Sequence, residues 1–158
     1  MHARADIATR PQSPAGGVVA EIRSIEGDSY LSLTQWEADD FGVKAAIGVR
    51  DGEFAGAYDR VWFFRDKFAT FVQARAEFTV AHEGEARLES MSPGEAIVSI
   101  RRLDAARHIL AEVQVSRWHY VRGRLFRHLV SVMFEVDPSH RPEAVRSLAA
   151  VIAEGKPS

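Results

Sequence analysis

The sequence predicts an α+β fold, an antiparallel twisted sheet of about six to eight strands covered by two helices. Three observations carry this. Apolar residues alternate with period two in segment after segment, and at two places the period lengthens to that of a helix. The segments are also joined by hairpin-length connections, without the regular βαβ alternation of a parallel sheet. A chain of 158 residues with 46% hydrophobic content has the size and composition of one domain.

Residues 1–16 hold Pro11, Pro14 and Gly16 among scattered charges and show no periodicity. Such a composition cannot repay its ordering entropy, so a disordered tail is expected there and a single domain over 17–155. "VVAEIRSI" and "SYLSLTQWE" alternate and are read as strands, the second ended by the acidic "EADD". In "FGVKAAIGVR" the residues Val43, Ala45, Ile47 and Val49 fall on one face. The "RDGE" that follows is an Asp-Gly hairpin turn, because glycine accepts the positive φ of the primed turns.

Phe54, Gly56, Tyr58, Arg60, Trp62 and Phe64 share one strand parity. Phe64, Phe68, Phe71 and Val72 then follow helical spacing, so a strand is expected to run into a helix that ends near Phe78. Asp66 suits the helix start, where its carboxylate can accept from free amides. Trp62, Phe68 and Phe71 are expected in the core between this helix and the sheet. "GEARLES", "GEAIVSIRRL", "RHILAEVQVSRWHY" and "LFRHLVSVMFEV" read as four further strands of an antiparallel meander. "DPSHRP" halts the last of them. Pro142 then opens a second helix with Val145, Leu148, Ala149 and Ile152 on its apolar stripe and an exit at Gly155.

Composition removes several function classes. The net charge of −2 argues against a protein built to grip phosphate backbones, so no nucleic-acid partner is expected. The absence of cysteine excludes thiol catalysis, disulfides and thiolate metal sites. No apolar run approaches the roughly 20 residues that cross a bilayer, so the expectation is a cytoplasmic protein with no membrane contact.

Motifs remove more. "HEGEA" carries Ala86 where a second zinc-ligating histidine would have to stand, and no Gly-Lys-Ser/Thr or G-x-S-x-G sequence is present. His108, His119, His128 and His140 are far apart in sequence. No catalytic residue, metal or cofactor is therefore assigned, and the chain is not expected to be an enzyme. "RWHYVRGRLFRH" mixes Arg117, Arg122, Arg124 and Arg127 with Trp118 and Tyr120. That texture is read as a basic hairpin tip, able to meet an acidic partner or the protein's own acids.

The pattern "FAG...VWFF.DKFATFV", the middle "GEARLES", then "HILAEVQV" and the closing "VSVMFEVDPSHRPEAVRSLAAVI" resembles the WapI-type immunity proteins of bacteria and related uncharacterised domains. The likeness covers about Leu31 to Ile152, through Phe54, Gly56, Trp62, Phe68, Phe71 and His108. One departure is Arg107, which stands where the pattern has a glycine before the His-apolar strand start. The resemblance implies a cytoplasmic protein that binds and neutralises a cognate toxin without catalysis. It carries over no functional residues.

For such steric neutralisation the exposed acids Glu37, Asp39, Asp40, Asp51, Glu53 and Asp59 are the candidate partner-binding set. The rival reading is a small-molecule or enzymatic domain with an aromatic pocket lined by Tyr30, Trp36, Trp118 and His119. A homodimer is a third reading, since open sheet edges can pair across a two-fold axis.

Overall fold

The computed structural model describes residues 19–78, 84–104 and 108–140, together with 143, 146 and 149. The strands are β1 (Val19–Arg23), β2 (Ser29–Ala38), β3 (Gly42–Asp51), β4 (Phe54–Phe64), β5 (Glu85–Glu89), β6 (Ala96–Arg102), β7 (Ile109–Val121) and β8 (Arg124–Glu135). Helix α1 (Arg65–Phe78) continues directly from β4, and a short 3-10 turn at Pro138–His140 follows β8. The α+β class and the antiparallel pairing agree with the sequence.

The single sheet does not. The strands form two four-stranded sheets in the orders β1-β2-β3-β4 and β5-β6-β7-β8. The physical reason is the alternation itself, since two sheets that face each other bury both apolar faces at once. Leu31, Leu33, Ile47, Val61 and Phe63 from the first sheet share one core cluster with Leu88, Val98, Ile100, Val113 and Val132 from the second.

The sheets are tied at two corners. Ser24 and Val136 form an antiparallel bridge, flanked by bonds from Ile25 N to Glu135 O at 3.3 Å and from Asp137 N to Arg23 O at 2.9 Å. Met91 N donates to Trp62 O at 2.7 Å and fastens the β5–β6 turn to β4.

The aromatic run needs one correction. Phe68 and Phe71 are buried as expected, but Trp62 is half-buried and Phe63 takes the core position. The cause is a β-bulge. Ala45 pairs with Val61 but Ile47 pairs with Tyr58, so β4 carries one extra residue and its inward parity changes from Gly56 and Tyr58 to Val61 and Phe63. Trp62 then lies on the outer face, 5.7 Å from Lys44 Nζ, while the Phe63 ring meets Phe68 edge-on at 5.9 Å. Asp66 stands in the first turn of α1 and accepts from Lys67 N at 2.8 Å.

Glu143, Arg146 and Ala149 are helical and exposed, and the other residues expected for the second helix lie outside the described residues. The expected tail, residues 1–16, lies outside them too. Among the described residues no helix is long and apolar enough to cross a membrane.

Candidate functional site

The six expected acids do not form one surface. Glu37, Asp39 and Asp40 sit where β2 turns into β3, whereas Asp51 and Glu53 sit at the other end of β3. At roughly 3.4 Å per residue the ten-residue strand holds the two groups about 30 Å apart. Asp59 lies between them, at the bulge of β4.

Several of these acids already have work inside the fold. The Asp39 carboxylate accepts from Phe41 N at 2.8 Å and Gly42 N at 2.7 Å. Those two backbone donors, Gly42 first, hold its pKa below the ordinary aspartate value. Its carbonyl also accepts from Arg65 Nη1 at 2.7 Å, which ties the β2–β3 turn to the start of α1. Glu37 pairs with Lys44 at 3.3 Å, and Asp51 accepts from Ser29 Oγ at 2.6 Å. Asp40, Glu53 and Asp59 are exposed.

Tyr30, Trp118 and His119 of the aromatic-pocket reading do not converge either. Trp118 and His119 are adjacent on β7 and point to opposite faces. Tyr30 belongs to β2 of the other sheet, on the parity opposite buried Leu31 and Leu33. Trp36 stands in β2 where its pairing with β3 shifts register. A depression of about 260 Å³ does lie at the seam between the sheets, but among the described residues it is lined by Ser24, Asp28, Ser29, Asp51 and Glu135, and not by Tyr30, Trp118 or His119.

His108 precedes β7, whereas His119 and His128 meet in the outer part of the β7–β8 hairpin. His108 Nδ1 is 2.7 Å from Asp104 Oδ2, while His119 and His128 pack ring edge to ring face at 4.1 Å. Among the described residues no three His, Asp or Glu side chains are grouped to hold a metal ion.

The geometry instead singles out the outer part of the β7–β8 hairpin. Val113 and Val115 face the core, but from Arg117 to Leu129 every residue is exposed apart from half-buried His119. Both faces of the ribbon are open. The register sets Trp118 against Arg127 and Tyr120 against Leu125 on one face, and His119 against Phe126 on the other. Trp118 is 54% exposed and Tyr120 73%. The stretch Arg117–His128 contains four arginines and no acid, in a chain whose net charge is −2. Arg127 lies 5.6 Å from the Trp118 ring, a cation–π contact across the ribbon.

The base of this hairpin is buttressed. Ser116 N donates to Glu95 O at 2.8 Å, Ser116 Oγ donates to Gly94 O, and Arg127 Nη2 reaches the same carbonyl at 3.3 Å. Tyr58 of β4 hydrogen-bonds Glu95, and that bond, with partial burial, pushes its phenol pKa up. The tip is a two-residue turn with Arg122 at φ 50° and Gly123 at φ 75°. Both values belong to the type I′ turn, whose first position normally takes Asn, Asp or Gly. Arginine there costs conformational energy, roughly 1 to 2 kcal/mol.

The sequence reads this segment as a basic hairpin tip, and the structure adds that the ribbon is exposed on both faces as far back as Arg117 and Leu129. The signal was present in the alternation, which continues past Val115 with side chains too polar for a core. No protein-family model, curated protein or solved structure matches the chain.

Proposed function

We propose that this chain is a non-enzymatic interaction protein, an immunity protein that neutralises a cognate bacterial toxin in the cytoplasm by binding it through the projecting β7–β8 hairpin. The supporting observation is the exposure of Arg117 to Leu129 on both ribbon faces, with Trp118, Tyr120 and four arginines among its side chains. These three residue types dominate the energetically critical positions of protein interfaces. A strained arginine at the tip adds to the reading, because Asn would fit the turn at lower cost and carry no charge. The two-helix cover expected from the sequence is kept as part of this reading.

The cluster of arginines makes the complementary surface acidic, the reverse of the basic toxin face that the acidic turns would fit. The test is binding of the purified chain to the product of the neighbouring gene, followed by calorimetry, with survival of co-expressing cells as the functional readout. Trp118→Ala with Tyr120→Ala should abolish binding and protection while leaving thermal unfolding unchanged. Wild-type affinity in that double variant would remove the hairpin from the reading. A neighbouring product that neither binds nor harms cells would remove the reading itself.

A further inference from the structure

Strand β8 is the terminal strand of its sheet, paired with β7 alone along its length. The direction of its unpaired groups follows from two bonds. Val136 N donates across to Ile109 O at the start of β7, whereas Glu135 O accepts from Ile25 N on the opposite side. The β7–β8 register is unbroken from Leu110↔Glu135 to Val121↔Arg124, so the alternation persists down the strand. The backbone N–H and C=O groups of Leu125, Arg127, Leu129, Ser131 and Met133 therefore face away from β7. Among the described residues none of these groups has a backbone partner.

Long edges of this kind are normally blunted by proline, a bulge or several charges. This one has no proline and no bulge, and its outward-facing row carries a single charge, Arg127. The same five residues put their side chains on the outer face of the sheet, where Leu125, Leu129 and Met133 are 50%, 49% and 49% exposed. An apolar edge of this length with free backbone groups calls for a strand.

We infer that the strand is β8 of a second copy of this chain, paired antiparallel about Leu129. The register is bounded at both ends of the free stretch. The Gly123 turn closes one end of the free stretch and Ile25 occupies the edge at Glu135, so Leu129 is its midpoint. Centred there, Leu129 opposes Leu129 of the other copy, Leu125 opposes Met133, and Arg127 opposes Ser131. Every apolar side chain meets an apolar one, and no like charges stand opposite each other. On the inner face Phe126 would lie opposite Val132 of the other copy. A register centred on Arg127 would set guanidinium against guanidinium, which charge repulsion disfavours.

Five paired positions with two bonds each supply about ten backbone hydrogen bonds, and the two sheets become one continuous eight-stranded sheet with a two-fold axis. Trp118, Tyr120 and Arg122 remain outside the pairing, which uses Leu125, Arg127 and Leu129 of the same hairpin.

Sedimentation equilibrium of the purified full chain tests it. The expected result is a concentration-dependent dimer. Leu129→Lys sets two like charges in contact at the axis and should give a monomer with an unchanged circular dichroism spectrum, as should Leu129→Glu. Mixing the two variants should restore the dimer, which a folding defect could not do. A wild-type chain that stays monomeric at all concentrations would overturn the inference, as would a dimer that persists in both single variants.

Discussion

Gly56 of β4 lies directly against Val130 of β8, so closely that a Cβ on the glycine would stand 2.9 Å from Val130 Cγ2 and 3.0 Å from its Cβ. Here the first sheet crosses the second. On one side of the crossing β8 faces the core with Val132 and Phe134, and on the other it leaves the body as the exposed ribbon. Absence of a side chain at position 56 is what lets the strands come this close.

Gly56→Ala should therefore destabilise the fold by about 1 to 3 kcal/mol, although alanine is ordinarily the better strand residue. Urea unfolding would measure it. Combining Gly56→Ala with Val130→Ala should recover part of the loss, since the second change vacates the volume the first one needs; strictly additive losses would refute the contact.

Phe71 is 1% exposed and, with Phe68, anchors α1 to the core. Its truncation to alanine should cost roughly 3 to 5 kcal/mol, enough to threaten a domain of ordinary stability. Chemical denaturation reads this directly, and Thr70→Ala on the exposed side of the same helix is the control expected to change little.

Asp39 predicts a pH effect. Its pKa is lowered in the folded state by the Gly42 and Phe41 amides, so its contribution to stability is present above the ordinary value of 3.8 and disappears as pH falls through the lower folded-state value. Asp39→Ala should lower the melting temperature at neutral pH, and the gap to wild type should close under acid conditions. Asp40→Ala, at a neighbouring exposed position, should show no such gap.

Arg122→Asn should stabilise the chain by up to about 1 kcal/mol, because asparagine accepts the left-handed conformation that arginine resists. Under the proposed function the same change should slow association with an acidic partner and reduce its salt dependence. Stopped-flow mixing at several ionic strengths would show it. A gain in stability without a loss in association rate would mean that the tip arginine serves no contact.

Strand and helix positions were legible because each carries its own period, and the alternation of Val43 to Val49 or of Ile109 to Val115 needs no knowledge of neighbours. Which face of β4 turned inward was not. The bulge near Asp59 and Arg60 exists only as a mismatch between β4 and β3, so it appears when the strands are paired and not in either strand alone. Division into two sheets was hidden for a similar reason, since both arrangements bury the same residues. The acids were misleading in another way. Asp39 and Asp51 look like solvated turn residues in sequence, and their hydrogen bonds to Gly42 and Ser29 depend on turn geometry and strand pairing that composition does not reveal.

The extra residue in β4 lets one strand turn Gly56 and Tyr58, and then Val61 and Phe63, toward the same core. Deleting Asp59 would leave Arg60 as the single outward position between Tyr58 and Val61, so Val61 and Phe63 would stay inward and only the bulge, with its local bend and added twist, would be lost. A codon lost at Trp62 instead would turn Phe63 out and Phe64 in, where the strand runs into α1.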